Sequence, residues 1–247
     1  TAGDVAIETL NIQNYERGVV GNNAASVLAI TDNDFTNISW AGVSFNGAGN
    51  LSLSGNDFVG MGYMGVEAKA GVVVTATANT FSNTVAGIRL IAASPDSVIN
   101  GSNTFNLDVA DKTVIGVSVE YNAATVAGNV FNVANNNLGA NPTATGGGYA
   151  TNMPIYVWNT PGLSITGNDF NYTGSSPNKQ PAISLITERV GDLAGTSGNV
   201  AAATVATISG DNDFVGFYKG VDAQGAAVNA TINDNDFSNI SWAGVSF

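Results

Sequence analysis

Apolar residues fall in short β-type runs, such as Val72-Val73-Val74-Thr75 and Val117-Ser118-Val119, separated by Asn, Gly and Asp. The spacing of an amphipathic helix is absent. An Asn-x-Phe unit recurs through these runs, usually with an apolar residue three or four places before it. Its asparagines are Asn33, Asn56, Asn79, Asn103, Asn129, Asn168, Asn212 and Asn235, and its phenylalanines are Phe35, Phe58, Phe81, Phe105, Phe131, Phe170, Phe214 and Phe237. Successive asparagines are 23, 23, 24, 26, 39, 44 and 23 residues apart. A Gly followed by Val or Ile often trails each unit, as at Gly42-Val43, Gly65-Val66, Gly87-Ile88, Gly220-Val221 and Gly244-Val245. Short strands, corner-forming residues at fixed offsets and a 23-residue period predict an all-β solenoid, a parallel β-helix with one coil per period. In such a coil the phenylalanines alternate inward as a buried ladder. The asparagines sit at a corner, in hydrogen-bonding reach of the coils above and below. Asp34, Asp57, Asp169, Asp213 and Asp236, between Asn and Phe, point outward.

The Gly-Asn-Asp-Phe of residues 55–58 and 167–170, with Gly-Val or Gly-Ile following, resembles the right-handed parallel β-helix repeat superfamily. The likeness covers nearly the whole chain. That superfamily includes pectate-lyase-like enzymes, alginate epimerases, phage tailspikes and long bacterial surface proteins. The handedness is what the resemblance implies; the periodicity does not choose it.

A longer repeat overlies the coils. Residues 30–45 and 232–247 are identical except at Thr31/Asn233 and Thr36/Ser238, an offset of 202 that also pairs Arg17-Gly18-Val19 with Lys219-Gly220-Val221. Other coils agree only at Asn, Phe and Gly, so this points to tandem duplication. At the coil period the block is expected to hold about nine coils and to advance the axis by roughly 43 Å. The chain reads as one domain, residues 1–247, comprising one block and the start of the next. Neither end offers a capping helix, so the coils are expected to continue in a parent array or to pair with neighbouring chains end to end. All six prolines lie between Pro95 and Pro181, and the stretch from about 95 to 200 is expected to carry inserted loops, around residues 135–148 and 174–180.

Composition narrows the chemistry. With no Cys and no His, the chain has no disulfides, thiol nucleophile, Ser-His-Asp triad or His/Cys zinc site. Seven Lys+Arg against 19 Asp+Glu give a net charge of −12, which argues against nucleic acid and anionic membranes as partners. No apolar run is long enough for a spanning helix. The balance suits a secreted or cell-surface protein.

Three sets of residues could carry chemistry. The family's enzymes, as the resemblance implies, act on acidic polysaccharides through carboxylates, calcium and an Arg or Lys on one sheet face. Here Glu67 and Arg89 follow Gly-Val and Gly-Ile and should stack on adjacent coils, with Lys69 nearby, as an exposed cross-coil ion pair. The equivalent positions Ser44 and Ser118 carry no carboxylate, so no catalytic residue is assigned. Asp32, Asp34, Asp57, Asp211, Asp213, Asp234 and Asp236 cluster at coil corners as candidate Ca2+ ligands, although no cofactor is required. Tyr149, Tyr156, Trp158 and Tyr172, near the inserted loops, could stack on sugar rings, making surface glycans a candidate partner. The expected role is a structural module, a stiff stalk, filament or surface-layer element. A carbohydrate-binding adhesin using residues 140–180 is the alternative, and a polysaccharide lyase or epimerase is the third reading.

Overall fold

The computed structural model describes residues 3–22, 27–107, 115–133, 153–174, 181–187, 203–225 and 227–247. Every regular element in them is a strand, and the 27 strands form three parallel sheets of nine. The first sheet begins with Val5–Glu8 and Val27–Thr31, the second with Asn11–Gln13 and Asp34–Thr36, and the third with Arg17–Asn22 and Ala41–Asn46. Each coil contributes one strand to each sheet in turn. Coil 1 is Val5–Glu8, Asn11–Gln13 and Arg17–Asn22, and coil 9 is Val228–Ile232, Asn235–Ser238 and Ala243–Ser246.

Corners between sheets fall where the sequence supplies residues that accept a left-handed backbone. Between the first and second sheets Asp32, Asp211 and Asp234 have φ of 53°, 60° and 53°, and Gly55, Gly128 and Gly167 take 65°, 62° and 60°. The residue after Asp32 or Gly55 is a ladder asparagine. Asn33, Asn56, Asn79, Asn103, Asn129, Asn168 and Asn212 are at most 1 % exposed, a burial that an amide tolerates only when its hydrogen-bonding capacity is used. Asn56 Nδ2 donates to Ile30 O of the previous coil at 2.8 Å, to Ser54 O at 3.2 Å and to Asn79 Oδ1 of the next coil at 2.9 Å. Asn56 Oδ1 in turn accepts from the backbone N and Nδ2 of Asn33, both at 3.0 Å. The pattern continues to Asn235.

The phenylalanines stack as expected. Their rings lie nearly parallel with centroids 4.7 to 5.0 Å apart from Phe35 to Phe237. The glycines of the third sheet make room for them. A Cβ on Gly65 would lie 2.6 Å from the Phe81 ring and 2.7 Å from Gly87 O. Coil 1 departs from the motif, with Leu10 N donating to Asn33 Oδ1 and Ile12 in register with Phe35.

The duplication is shorter in coils than the period predicts. Asn33 and Asn235 lie in coils 2 and 9, so the 202-residue offset spans seven coils, not nine. At about 4.8 Å per coil the block advances roughly 34 Å. The spacings of 39 and 44 are single steps: Asn129 N bonds Asn168 Oδ1, and Asn168 N bonds Asn212 Oδ1, each at 3.0 Å.

Candidate functional site

The outer face of the third sheet gathers most of the charged side chains that are buried. In-register pairing places Ser44, Glu67, Arg89, Ser118, Tyr156, Ser184, Asp222 and Ser246 in one outward column. A parallel column two residues on contains Asn46, Lys69, Ile91, Glu120, Trp158, Ile186 and Gln224. The outward phase of a strand is where charge is expected, but Glu67, Glu120 and Asp222 are 3 %, 1 % and 5 % exposed.

Burial at this level requires partners, and the structure supplies them. The expected exposed Glu67–Arg89 pair is replaced by two others. Glu67 accepts an ion pair from Lys69 of its own strand at 2.6 Å. Arg89 reaches diagonally to Glu120 of the next coil, with Nε on Oε1 at 2.7 Å and Nη2 on Oε2 at 2.9 Å. The residue directly over Arg89 is Ser118, too short to pair with it; its hydroxyl donates to Glu120 Oε1 at 2.8 Å. A forked guanidinium–carboxylate pair is stronger and more directional than the single contact two stacked side chains would make.

Asp222 is the second centre. Its carboxylate accepts from Lys219 Nζ at 2.7 Å, Ser246 Oγ at 2.6 Å and Gln224 Nε2 at 2.6 Å. Burial pushes its pKa up, but the three hydrogen bonds and the Lys219 charge outweigh burial and hold it below the usual carboxylate range. The rule that singled out Glu67 and Arg89, the residue after Gly-Val or Gly-Ile, also finds Asp222 after Gly220-Val221. Glu120 has a weaker signal, as the second outward position of Val117-Ser118-Val119-Glu120.

Among the described residues, Tyr156 and Trp158 share the outer face of the third sheet, and Tyr172 stands apart on the second. Tyr156 is 8 % exposed on the outer face of the third sheet, and Trp158 packs on Tyr121 with centroids 5.2 Å apart. Tyr172 ends a second-sheet strand, Asp169–Tyr172, tilted against Phe217 at 6.0 Å; burial raises its pKa. Tyr149 lies outside the described residues, as do residues 134–152 and 175–180 of the expected loops. Beside Arg89 a cavity of about 20 Å³ lies between Tyr63, Met64, Ala86 and Ile115. That is room for one water and not for a sugar ring.

The aspartates are exposed and stack without closing a cage. Asp34 is in register with Asp57, and Asp169 with Asp213 and then Asp236. Asp211 and Asp234 repeat the corner position of Asp32. Among the described residues no three carboxylates form a group that could hold a metal ion. At the corner leading into the third sheet, Arg17 lies over the Trp40 ring at 5.5 Å and Lys219 over Trp242 at 4.4 Å. Both members of the second pair lie 202 residues beyond those of the first.

Comparison with known proteins agrees with this architecture. The family described as right handed beta helix region matches residues 17–170, and the chain belongs to that family. Among solved structures it is similar to the Streptococcus pneumoniae surface protein and adhesin PfbA, with a TM-score of 0.52 and 12 % identity, over 99 % of this chain and 67 % of that one. Against curated protein sequences the chain has no significant match.

Proposed function

We propose that the chain is a structural module of a secreted or cell-surface repeat protein, a stiff β-solenoid that sets reach and presents surface features at fixed intervals. The observation that carries this reading is the seven-coil repeat: an offset of 202 residues returns the Asn, Phe and Gly positions and the cation-over-Trp corner in the same register. Continuous inter-coil hydrogen bonding with two buried ladders makes each coil rigid against its neighbours. The likeness to a surface adhesin supports a surface setting. The charges on the third sheet's outer face support a scaffold over an enzyme, because Glu67, Glu120 and Asp222 are each already neutralised by a lysine or arginine of the chain. The test is single-molecule pulling: the scaffold reading expects stepwise coil-by-coil unravelling at high force, and smooth low-force extension would contradict it.

The second reading is adhesion to glycans, favoured by the partly exposed aromatics beside the inserted segments. Alanine at Tyr149, Trp158 and Tyr172, scored on a glycan array with folding checked, is expected to abolish binding if that reading holds. Calcium at the aspartate corners belongs to either reading. It is tested by melting the protein with millimolar calcium and then EDTA, and a shift between the two supports a site.

A further inference from the structure

Between the first and second sheets the chain usually turns with two residues, as Thr77-Ala78 does between the inward Ala76 and the ladder Asn79. Coils 5 and 8 use three, Asn100-Gly101-Ser102 and Ser209-Gly210-Asp211. Each of these wider turns has two consecutive left-handed residues, with φ of 69° and 67° at Gly101 and Ser102 and of 71° and 60° at Gly210 and Asp211.

The wider turn of coil 5 fixes the peptide plane between Asn100 and Gly101. The Asn100 carbonyl accepts from Nδ2 of the buried ladder residue Asn103 at 2.8 Å. The N–H of a trans peptide points opposite to its C=O, so Gly101 N–H is turned away from the ladder. Among the described residues it meets no hydrogen-bond acceptor. The Asn100 side chain is exposed, two residues beyond Val98 in the outward phase of the first sheet. An amide carbon and the backbone nitrogen that follows it therefore both face water, and glycine puts no Cβ in the way of their approach.

The chain has one other Asn-Gly pair, Asn46-Gly47. Asn46 is also exposed, but it ends the strand Ala41–Asn46, and Gly47 N donates to Lys69 O of the next coil at 3.2 Å. Its nitrogen is engaged. The wider turn of coil 8 has Ser209 in place of Asn100 and carries no amide there.

We infer that Asn100 is a site of spontaneous covalent modification, through cyclisation onto Gly101. Gly101 N gives its proton to base and bonds to Asn100 Cγ, while the Cγ–Nδ2 bond breaks and the nitrogen leaves, reprotonated, as ammonia. Water then opens the succinimide ring to aspartate, or to isoaspartate, in which the main chain runs through the side chain and is one carbon longer. The longer chain displaces the carbonyl that Asn103 Nδ2 uses. It also displaces Gly101 O, which accepts from Ala78 N at 2.9 Å and Thr77 Oγ1 at 3.1 Å. The inference goes beyond both functional readings: it gives the solenoid a covalent weak point at one corner of coil 5.

The test incubates the folded protein at mildly alkaline pH, with a parallel sample in urea, and follows both pairs by peptide mapping and mass spectrometry. In urea the two pairs are expected to deamidate at similar rates. On folding, Asn46 is expected to slow by at least about tenfold more than Asn100. Slowing at Asn100 equal to or greater than that at Asn46 would overturn the inference. The isoaspartate form, separated by chromatography, is then compared with Asn100→Asp, which has the new charge without the extra carbon. Hydrogen exchange at Ala78, Ser102 and Thr104 is expected to speed up by at least about tenfold in the isoaspartate form alone. Equal exchange in the two would overturn the weak point.

Discussion

Asn79 has both neighbours to lose. Its Nδ2 donates to Leu53 O, Thr77 O and Asn103 Oδ1, while its Oδ1 accepts from the backbone and side chain of Asn56. Alanine there strands donors and acceptors in a site closed to water, so Asn79→Ala is expected to cost about 3 kcal/mol in urea denaturation. Aspartate is expected to be worse at neutral pH, since it adds a buried charge and removes the donors. Arg89→Ala removes the forked ion pair from the buried Glu120 carboxylate and is expected to cost about 3 kcal/mol, largely recovered in the Arg89→Ala/Glu120→Ala double variant. Asp222 gives the pH dependence. Its folded pKa lies below the unfolded value, so its contribution is present above the ordinary carboxylate pKa and is lost as pH falls through the folded one. The melting temperature of the parent should therefore fall more steeply than that of Asp222→Asn as pH is lowered below about 4.

At the scale of the coil, legibility in the sequence follows what repeats. Asn and Phe recur because each copy of a ladder position faces the same contacts, and so their burial, their stacking and the outward aspartates could be read in advance. The Gly before Val was visible as a pattern, but its reason, the space taken by the Phe81 ring beside Gly65, was not. That reason predicts that Gly65→Ala loses about 1 to 3 kcal/mol by overpacking, although the same column accepts Ala182 in coil 7. Coil 1 is invisible to the pattern because Leu10 and Ile12 replace both marker residues. The ion pairs are not legible in the sequence, because spacing reports which residues stack and not how far a long side chain reaches. Arg89 bypasses its stacked neighbours for Glu120, where two parallel bonds are available. The site was thus legible as a face and not as a set of partners.

For the molecule as a whole, counting coils by dividing 202 by the period overestimates their number, because the spacings of 39 and 44 residues are each one step of the asparagine ladder. The register of the ladders corrects the count to seven and ties the repeat to a distance. The most direct test is the length of rods carrying one, two and three copies of the 202-residue block, measured by electron microscopy. The account predicts a constant increment of roughly 34 Å per block along one straight axis. An increment near 43 Å, or blocks separated like beads with variable spacing, would contradict it.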